Sequence, residues 1–187
     1  MSRLKERYKK DVRKALQEKF GYANSMQVPS LKTIVLTMGI AEAAKDKNVV
    51  QQIVNEVSLI TGQKPIIVKS KKAISNFKLR QGQPIGLKIT MRGVRMYEFL
   101  DRFCNIACPR IRDFHGFGTK CDGRGNFSLG LEDQQVFPEV NLDQMKKVQG
   151  MNLNFVTNAK TDDECVELLR QLGLPFKNLP IVVATAA

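Results

Sequence analysis

The chain has 187 residues, 43% hydrophobic and 26% charged, a balance that belongs to a folded globular protein and excludes a disordered polyelectrolyte. With 30 Lys and Arg against 18 Asp and Glu its formal net charge is +12, which favours nucleic acid as a partner and, less often, an anionic membrane surface. No apolar run approaches the roughly 20 residues that cross a bilayer, and four cysteines in a chain of this size point to reduced thiols in a cytoplasmic compartment.

The N-terminal twenty residues read as a basic amphipathic helix. Leu4, Tyr8, Val12, Leu16 and Phe20 recur every four residues, basic residues fill the gaps, and Gly21 ends the run. The segment has no apolar centre of a signal peptide, and Glu6, Asp11 and Glu18 interrupt the positive run expected of a transit peptide. Leu31 to Met38 is rich in β-branched residues and predicts a strand ending at Gly39. Val49, Val50, Ile53, Val54, Val57 and Ile60 follow a helical period up to Gly62. Ile66 to Val68 predicts a short strand, and Ser70 to Pro84 is too polar and basic to bury, so it predicts a long projecting loop. Ile85 to Arg92 alternates as a strand does, with Lys88, Thr90 and Arg92 on one side. Met96, Phe99, Leu100, Phe103 and Ile106 form the apolar stripe of a helix stopped by Pro109. Residues 110–148 are glycine-rich and irregular, with a strand at Phe127 to Leu131. Met151, Leu153 and Phe155 alternate with Asn152 and Asn154 in a further strand, and Thr161-Asp-Asp-Glu164 is a capping box opening the last helix.

This order predicts an α+β fold, a mainly antiparallel sheet with helices on one face, ferredoxin-like or RRM-like with insertions. Residues 1–179 are read as one domain, with residues 180–187 a tail of no assigned role. The uncovered face of such a sheet is open to a ligand. Here it would carry Lys88, Thr90, Arg92, Asn152, Asn154, Thr33 and Thr37, rich in hydrogen-bond donors and lacking the exposed aromatic pairs that stack single-stranded bases. Contacts to phosphates, 2′-hydroxyls and the minor groove of structured RNA follow as the expectation.

The strongest single signal is charge. From Val57 to Tyr97 there is no acid, against nine basic residues: Lys64, Lys69, Lys71, Lys72, Lys78, Arg80, Lys88, Arg92 and Arg95. The bland alternative is a surface kept soluble by charge; the complete absence of acid over forty-odd residues favours a polyanion. Phe77, between Asn76 and Lys78, either stacks on a base or packs beneath its own loop. The stripe of the first helix docks it while Arg3, Arg7, Lys10 and Lys14 remain for phosphates; with no Trp and one Phe on its apolar side, a membrane role is disfavoured. Cys104, Cys108, His115 and Cys121 lack the tight C-x2-4-C pairing of structural zinc sites, so no metal is expected. The glycines from Gly116 to Gly130 match neither phosphate-loop pattern, and Asp122-Gly-Arg-Gly-Asn126 reads as turn chemistry around a hairpin. A lone histidine supports no nucleophile triad, and Asp162 and Asp163 read as first-turn helix charges, so neither an enzyme nor a cofactor is expected.

Several short motifs, in order, resemble one family over about Leu4 to Phe176: Met26-Gln-Val-Pro29, Thr61-Gly-Gln-Lys-Pro65, Phe77-Lys-Leu-Arg-Gln-Gly82, Pro84-Ile-Gly86, Thr90-Met-Arg-Gly93, Pro109-Arg-Ile-Arg-Asp-Phe114, Asp122-Gly-Arg-Gly-Asn126 and Phe137-Pro-Glu139. The family is bacterial large-subunit ribosomal protein five, the 5S-rRNA-binding protein of the central protuberance. The resemblance implies a structural, non-catalytic role in the cytoplasmic ribosome. It implies 5S rRNA contacts at Thr37, Met38, Gly39, Gln63, Lys64, Lys88, Thr90 and Arg92 and through the first helix. It implies contact with the elbow of P-site tRNA at Lys71, Lys72, Ser75, Asn76, Phe77, Lys78 and Arg80. Pro109, Arg110, Ile111, Arg112 and Asp113, with Pro138 to Asp143, resemble the surface that meets a small-subunit head protein in an intersubunit bridge. 23S rRNA and other 5S-rRNA-binding large-subunit proteins are the implied neighbours. Thr37 departs from the family's usual Asn and cannot present an amide fork. Pro180 to Ala187 runs past where members commonly stop.

Overall fold

The computed structural model describes residues 2–40, 47–141 and 148–177; the tail at 180–187 lies outside them. The helical elements are α1 (Arg3–Arg7), α2 (Arg13–Phe20), α3 (Lys47–Thr61), α4 (Gly93–Arg102) and α5 (Asp162–Gln171). The strands are β1 (Leu31–Gly39), β2 (Ile66–Lys69), β3 (Pro84–Met91), β4 (Phe127–Leu131) and β5 (Met151–Thr157). No described helix is long and apolar enough to cross a membrane.

The strands form one sheet in the order β2-β3-β1-β5-β4. β2 pairs antiparallel with β3, Ile66 opposite Lys88 and Val68 opposite Gly86. The Ile40 N–H donates to the Ile85 carbonyl at 2.9 Å, and that of Asn158 to Ser30 at 3.2 Å, so β3 and β5 both run against β1. With β4 set aside, the order 2-3-1-5 is that of a ferredoxin-like split β-α-β arrangement. β4 is the inserted strand, added at the edge by the glycine-rich region. The predicted α+β class with an antiparallel sheet is therefore the observed one.

Two compact units make up the chain, Met1–Ile34 with Met91–Leu129 and Asn154–Ala187, and Val35–Thr90 with Gly130–Leu153. In the first, α1, a π-helical turn at Tyr8–Val12 and α2 form one continuous helical run. The π turn explains the four-residue stripe. On an α-helix of 3.6 residues per turn, that spacing would rotate the stripe by about 40° at every step; the wider turn absorbs the drift. Leu4, Val12 and Leu16 are consequently all buried. Gly21 ends the run with φ +66°, a left-handed conformation that only glycine adopts freely. α1 packs on α4, with the Tyr8 and Tyr97 rings 6.2 Å apart, and burial pushes the Tyr97 phenol up to about 12. Aromatic neighbours continue through the unit: Phe99 to Phe103 at 6.2 Å, Phe103 to Phe155 at 6.4 Å, Phe155 to Phe127 at 6.1 Å and Phe127 to Phe176 at 5.3 Å.

Ile106 departs from expectation. A second π turn, Phe103–Ala107, follows α4, so that Phe103 and Ala107 are buried while Ile106 stands 43% exposed. The glycine turn departs too: Asp122-Gly-Arg-Gly-Asn126 does not join two strands but leads into β4. Asp122 Oδ1 accepts from the N–H groups of Arg124 at 2.8 Å and Asn126 at 2.9 Å. Asp162, at the first turn of α5, accepts from the N–H groups of Gly123 and Gly125, each at 3.1 Å. The capping box is formed as read, with Thr161 Oγ1 accepting from Glu164 N–H and Glu164 Oε2 from Thr161 N–H, both at 3.4 Å.

The second unit buries Leu36, Met38, Leu87, Ile89 and Leu153 from the sheet with Val50, Ile53, Val54, Val57 and Ile60 of α3. Glu56 of α3 accepts from Gln134 Nε2 at 2.8 Å and Gln52 Nε2 at 3.3 Å, and burial raises its carboxyl above the ordinary range despite these donors.

The double acceptance by Asp162 yields a stability prediction. Hydrogen bonds to a charged group contribute about 1.5–3 kcal/mol each when buried and less when partly solvated, so Asp162→Ala should cost about 2 kcal/mol. At this chain length that lowers Tm by roughly 4–8 °C in a thermal melt, whereas the exposed Asp163→Ala should stay within about 0.5 kcal/mol.

Candidate nucleic-acid interface

The exposed side of the sheet in the second unit is built by alternation. β1 buries Leu36 and Met38 and turns Val35, Thr37 and Gly39 outward; β3 buries Leu87, Ile89 and Met91 and leaves Lys88 exposed and Thr90 half-exposed. On β5, Asn152 is exposed between buried Met151 and Leu153. The result is a short row of hydroxyl, ammonium and amide groups. The strands come unusually close at Gly86: a Cβ there would lie 2.4 Å from the Met38 carbonyl oxygen, so only glycine fits. Gln149 Nε2 donates to the Gly39 carbonyl at 2.7 Å and holds the end of β1.

Two features limit what this face can offer a ligand. The Met38 side chain is buried, 2% exposed, and leaves only its backbone for a ligand. β2 is exposed throughout, with Ile66 71% and Val68 37% exposed beside Lys88 and Gly86, giving the polar row an apolar margin. The run Ile66-Ile67-Val68 has no alternation from which sidedness could be read. Gln63, half-buried, and Lys64, exposed, join α3 to β2, where Thr61 Oγ1 donates to the Gln63 carbonyl at 3.0 Å.

The basic loop is a braced finger. At its base Ser70 N–H donates to the Gln83 carbonyl at 2.8 Å, Gly82 N–H to Ser70 at 2.9 Å, and Arg80 N–H to Gln83 Oε1 at 2.7 Å. At its tip Ile74 and Leu79 exchange backbone bonds of 3.0 and 3.1 Å, and Lys78 N–H donates to the Ser75 carbonyl at 2.9 Å. Lys78 closes this four-residue turn with φ +52°. Phe77 is 73% exposed, so the reading that packed it beneath its own loop fails. Lys71, Lys72, Ser75, Asn76, Lys78 and Arg80 are exposed around it.

The candidate residues of the first helix, Arg92 and Pro109 to Asp113 lie in the first unit, and Pro138 to Asn141 belong to the second. Lys10 and Lys14 are exposed, Arg7 is half-buried, and Arg3 is ion-paired with Asp101 at 2.9 Å. Arg92 is exposed just before α4. Pro109 and Arg110 occupy an exposed 3₁₀ turn, Ile111 is half-buried, and Arg112 and Asp113 are exposed, Asp113 with φ +50°. Residues 142 and 143 lie outside the described residues.

Comparison with known proteins gives the family. The family model of ribosomal protein L5 matches residues 24–80, and the model of the C-terminus of the same ribosomal family matches residues 84–176. Large ribosomal subunit protein uL5 of Protochlamydia amoebophila is 66% identical over 184 residues, covering 98% of this chain and all of its own. The uL5 proteins of Chlamydia pneumoniae and Chlamydia felis are 61% and 62% identical over 177 residues, 95% of this chain and 98% of theirs. The chain belongs to the uL5 family. As a uL5 protein it is a structural constituent of the bacterial large ribosomal subunit, an rRNA-binding component of a cytoplasmic ribonucleoprotein.

The close approach at Gly86 makes the uL5 sheet face sensitive to a single methyl group. Gly86→Ala forces β3 away from the Met38 carbonyl and should destabilise the chain by about 1–3 kcal/mol. The measurement is urea unfolding, read as a lower midpoint at unchanged slope.

Proposed function

We propose that this uL5 protein holds 5S rRNA in the central protuberance with the exposed sheet face around Thr37, Gly39, Lys88 and Thr90. The backbone at Met38, Gln63, Lys64 and, from the first unit, Arg92, Lys10, Lys14, Arg7 and Arg3 assist. The observation that carries this reading is the exposed row itself, which offers hydroxyls, amides and one ammonium on a rigid platform and no aromatic pair. Such a surface suits phosphates, 2′-hydroxyls and the minor groove of folded RNA. Arg3 must exchange Asp101 for phosphate, a small cost because exposed ion pairs contribute little.

The finger has a separate role. Its exposed Phe77 beside Lys71, Lys72, Lys78 and Arg80, on a base fixed by Ser70 and Gln83, suits a projecting RNA target, the elbow of P-site tRNA. Pro109, Arg110, Ile111, Arg112 and Asp113 form the contact to a small-subunit head protein in an intersubunit bridge. 23S rRNA and the other 5S-rRNA-binding proteins are neighbours. The chain acts as one RNA-binding domain over residues 1–179, without catalysis.

The test is a titration of 5S rRNA and a tRNA-sized control over several salt concentrations. About five phosphate contacts give a log–log slope near −4 for 5S rRNA. Lys88→Ala with Thr90→Val should weaken binding, and the loss of one cation should flatten the slope by about 0.9. Replacing Lys71, Lys72, Lys78 and Arg80 together with Ala should leave 5S rRNA affinity largely unchanged. Equal, weak binding to both RNAs would sink the specific reading, and a collapse in the loop variant would show that the finger serves 5S rRNA instead.

A further inference from the structure

The Met26-Gln-Val-Pro29 motif has no place in the interface described above, yet it lines a cavity. Within the first unit, Tyr22, Met26, Gln27, Asn158, Lys160 and Glu164 enclose about 230 Å³. That is below the roughly 300–1,000 Å³ of pockets for whole small molecules and fits one planar ring system.

The walls are pre-set. Gln17 Nε2 donates to the Tyr22 carbonyl at 3.3 Å. Arg13 donates to the Ser25 carbonyl at 2.7 and 3.2 Å, and Asn24 Oδ1 accepts from Met26 N–H at 2.9 Å. Across the cavity, Asn158 Oδ1 accepts from Ser30, N–H and hydroxyl both, which turns the amide NH₂ away from that bond. Glu164 Oε2 accepts from the N–H groups of Lys160 at 2.8 Å and Thr161.

Two observations mark the cavity as a site. Among the described residues the Tyr22 hydroxyl is shielded from solvent and makes no well-formed hydrogen bond, lying beside the Glu164 carboxylate with which it can pair. Burial, and then the neighbouring Glu164 carboxylate, push its phenol far above the ordinary range, so it stays a donor. Met26 stands 77% exposed at the rim, steadied there by Arg13 Nη2 at 3.7 Å from its sulfur.

We propose that this cavity receives one unstacked nucleobase of ribosomal RNA. A hydroxyl donor beside a carboxylate acceptor matches the edge of a base, where a carbonyl or ring nitrogen adjoins an N–H. Met26 covers the ring, and Lys160 meets the attached phosphate. Exposed Lys14, lining the adjoining depression that shares Tyr22, meets the next one.

The inference rests on rRNA binding by uL5 but not on the sheet-face assignment. It is tested by ultraviolet cross-linking of intact large subunits with peptide mass analysis. Met26 oxidation and Lys160 acetylation are compared between the particle and the free chain. The expected result is a nucleotide adduct on the Tyr22–Gln27 or Asn158–Glu164 peptide, with both modifications slowed several-fold in the particle. Unslowed modification would overturn the proposal. So would protection without an adduct when none of the four nucleoside monophosphates gives saturable NMR shifts at Tyr22 and Asn158; the cover would then be protein. An adduct here with failed 5S rRNA titration would remove the sheet-face assignment alone.

Discussion

The constraint on which this molecule depends is that its sheet can bury only one side. In the second unit Leu36, Met38, Leu87, Ile89 and Leu153 lie in the apolar interior, and period-two geometry then forces Thr37, Lys88, Thr90 and Asn152 outward together. The binding face is thus a by-product of the core. A one-residue slip in register would exchange the two sets, which is why the narrow passage at Gly86 matters: it lets β3 lie against the Met38 carbonyl in the register that sets Lys88 outward.

Charge is distributed over this scaffold by two different means. On the sheet face a single cation, Lys88, is set by strand geometry among hydroxyls and an amide. On the finger cations are dense and exposed, but the chain beneath them is tied at Ser70, Gly82 and Gln83 and again at Ile74 and Leu79. A tied finger loses less conformational entropy on binding than a free loop would. The first helix uses its charge differently again. Arg3, Arg13 and Lys19 are engaged by Asp101, the Ser25 carbonyl and Glu167, while Lys9, Lys10 and Lys14 stand exposed.

Most strands and helices were legible in the residues because their signals are local. Alternation placed β3 and β5, the capping box placed α5, and Gly21 placed the end of α2. What stayed hidden depends on partners distant in sequence. Asp162 looks like a helix-start charge until Gly123 and Gly125 arrive beneath it from 37 to 39 positions away. Ile106 looks buried until the π turn shifts its phase. The burial of Met38 follows from the same alternation that exposes Thr37, yet its place beside Thr37 and Gly39 in a family motif suggested a ligand contact. The division into two units, each stitched from separated segments, had no compositional marker.

The central claim is that 5S rRNA lies on the sheet face and not on the finger. Lysine-selective acetylation of the protein with and without bound 5S rRNA tests it directly, because each lysine reports its own cover. The account predicts protection of Lys88 and Lys64 while Lys71, Lys72 and Lys78 stay as reactive as in the free chain. Protection of the finger lysines with Lys88 unchanged would contradict it.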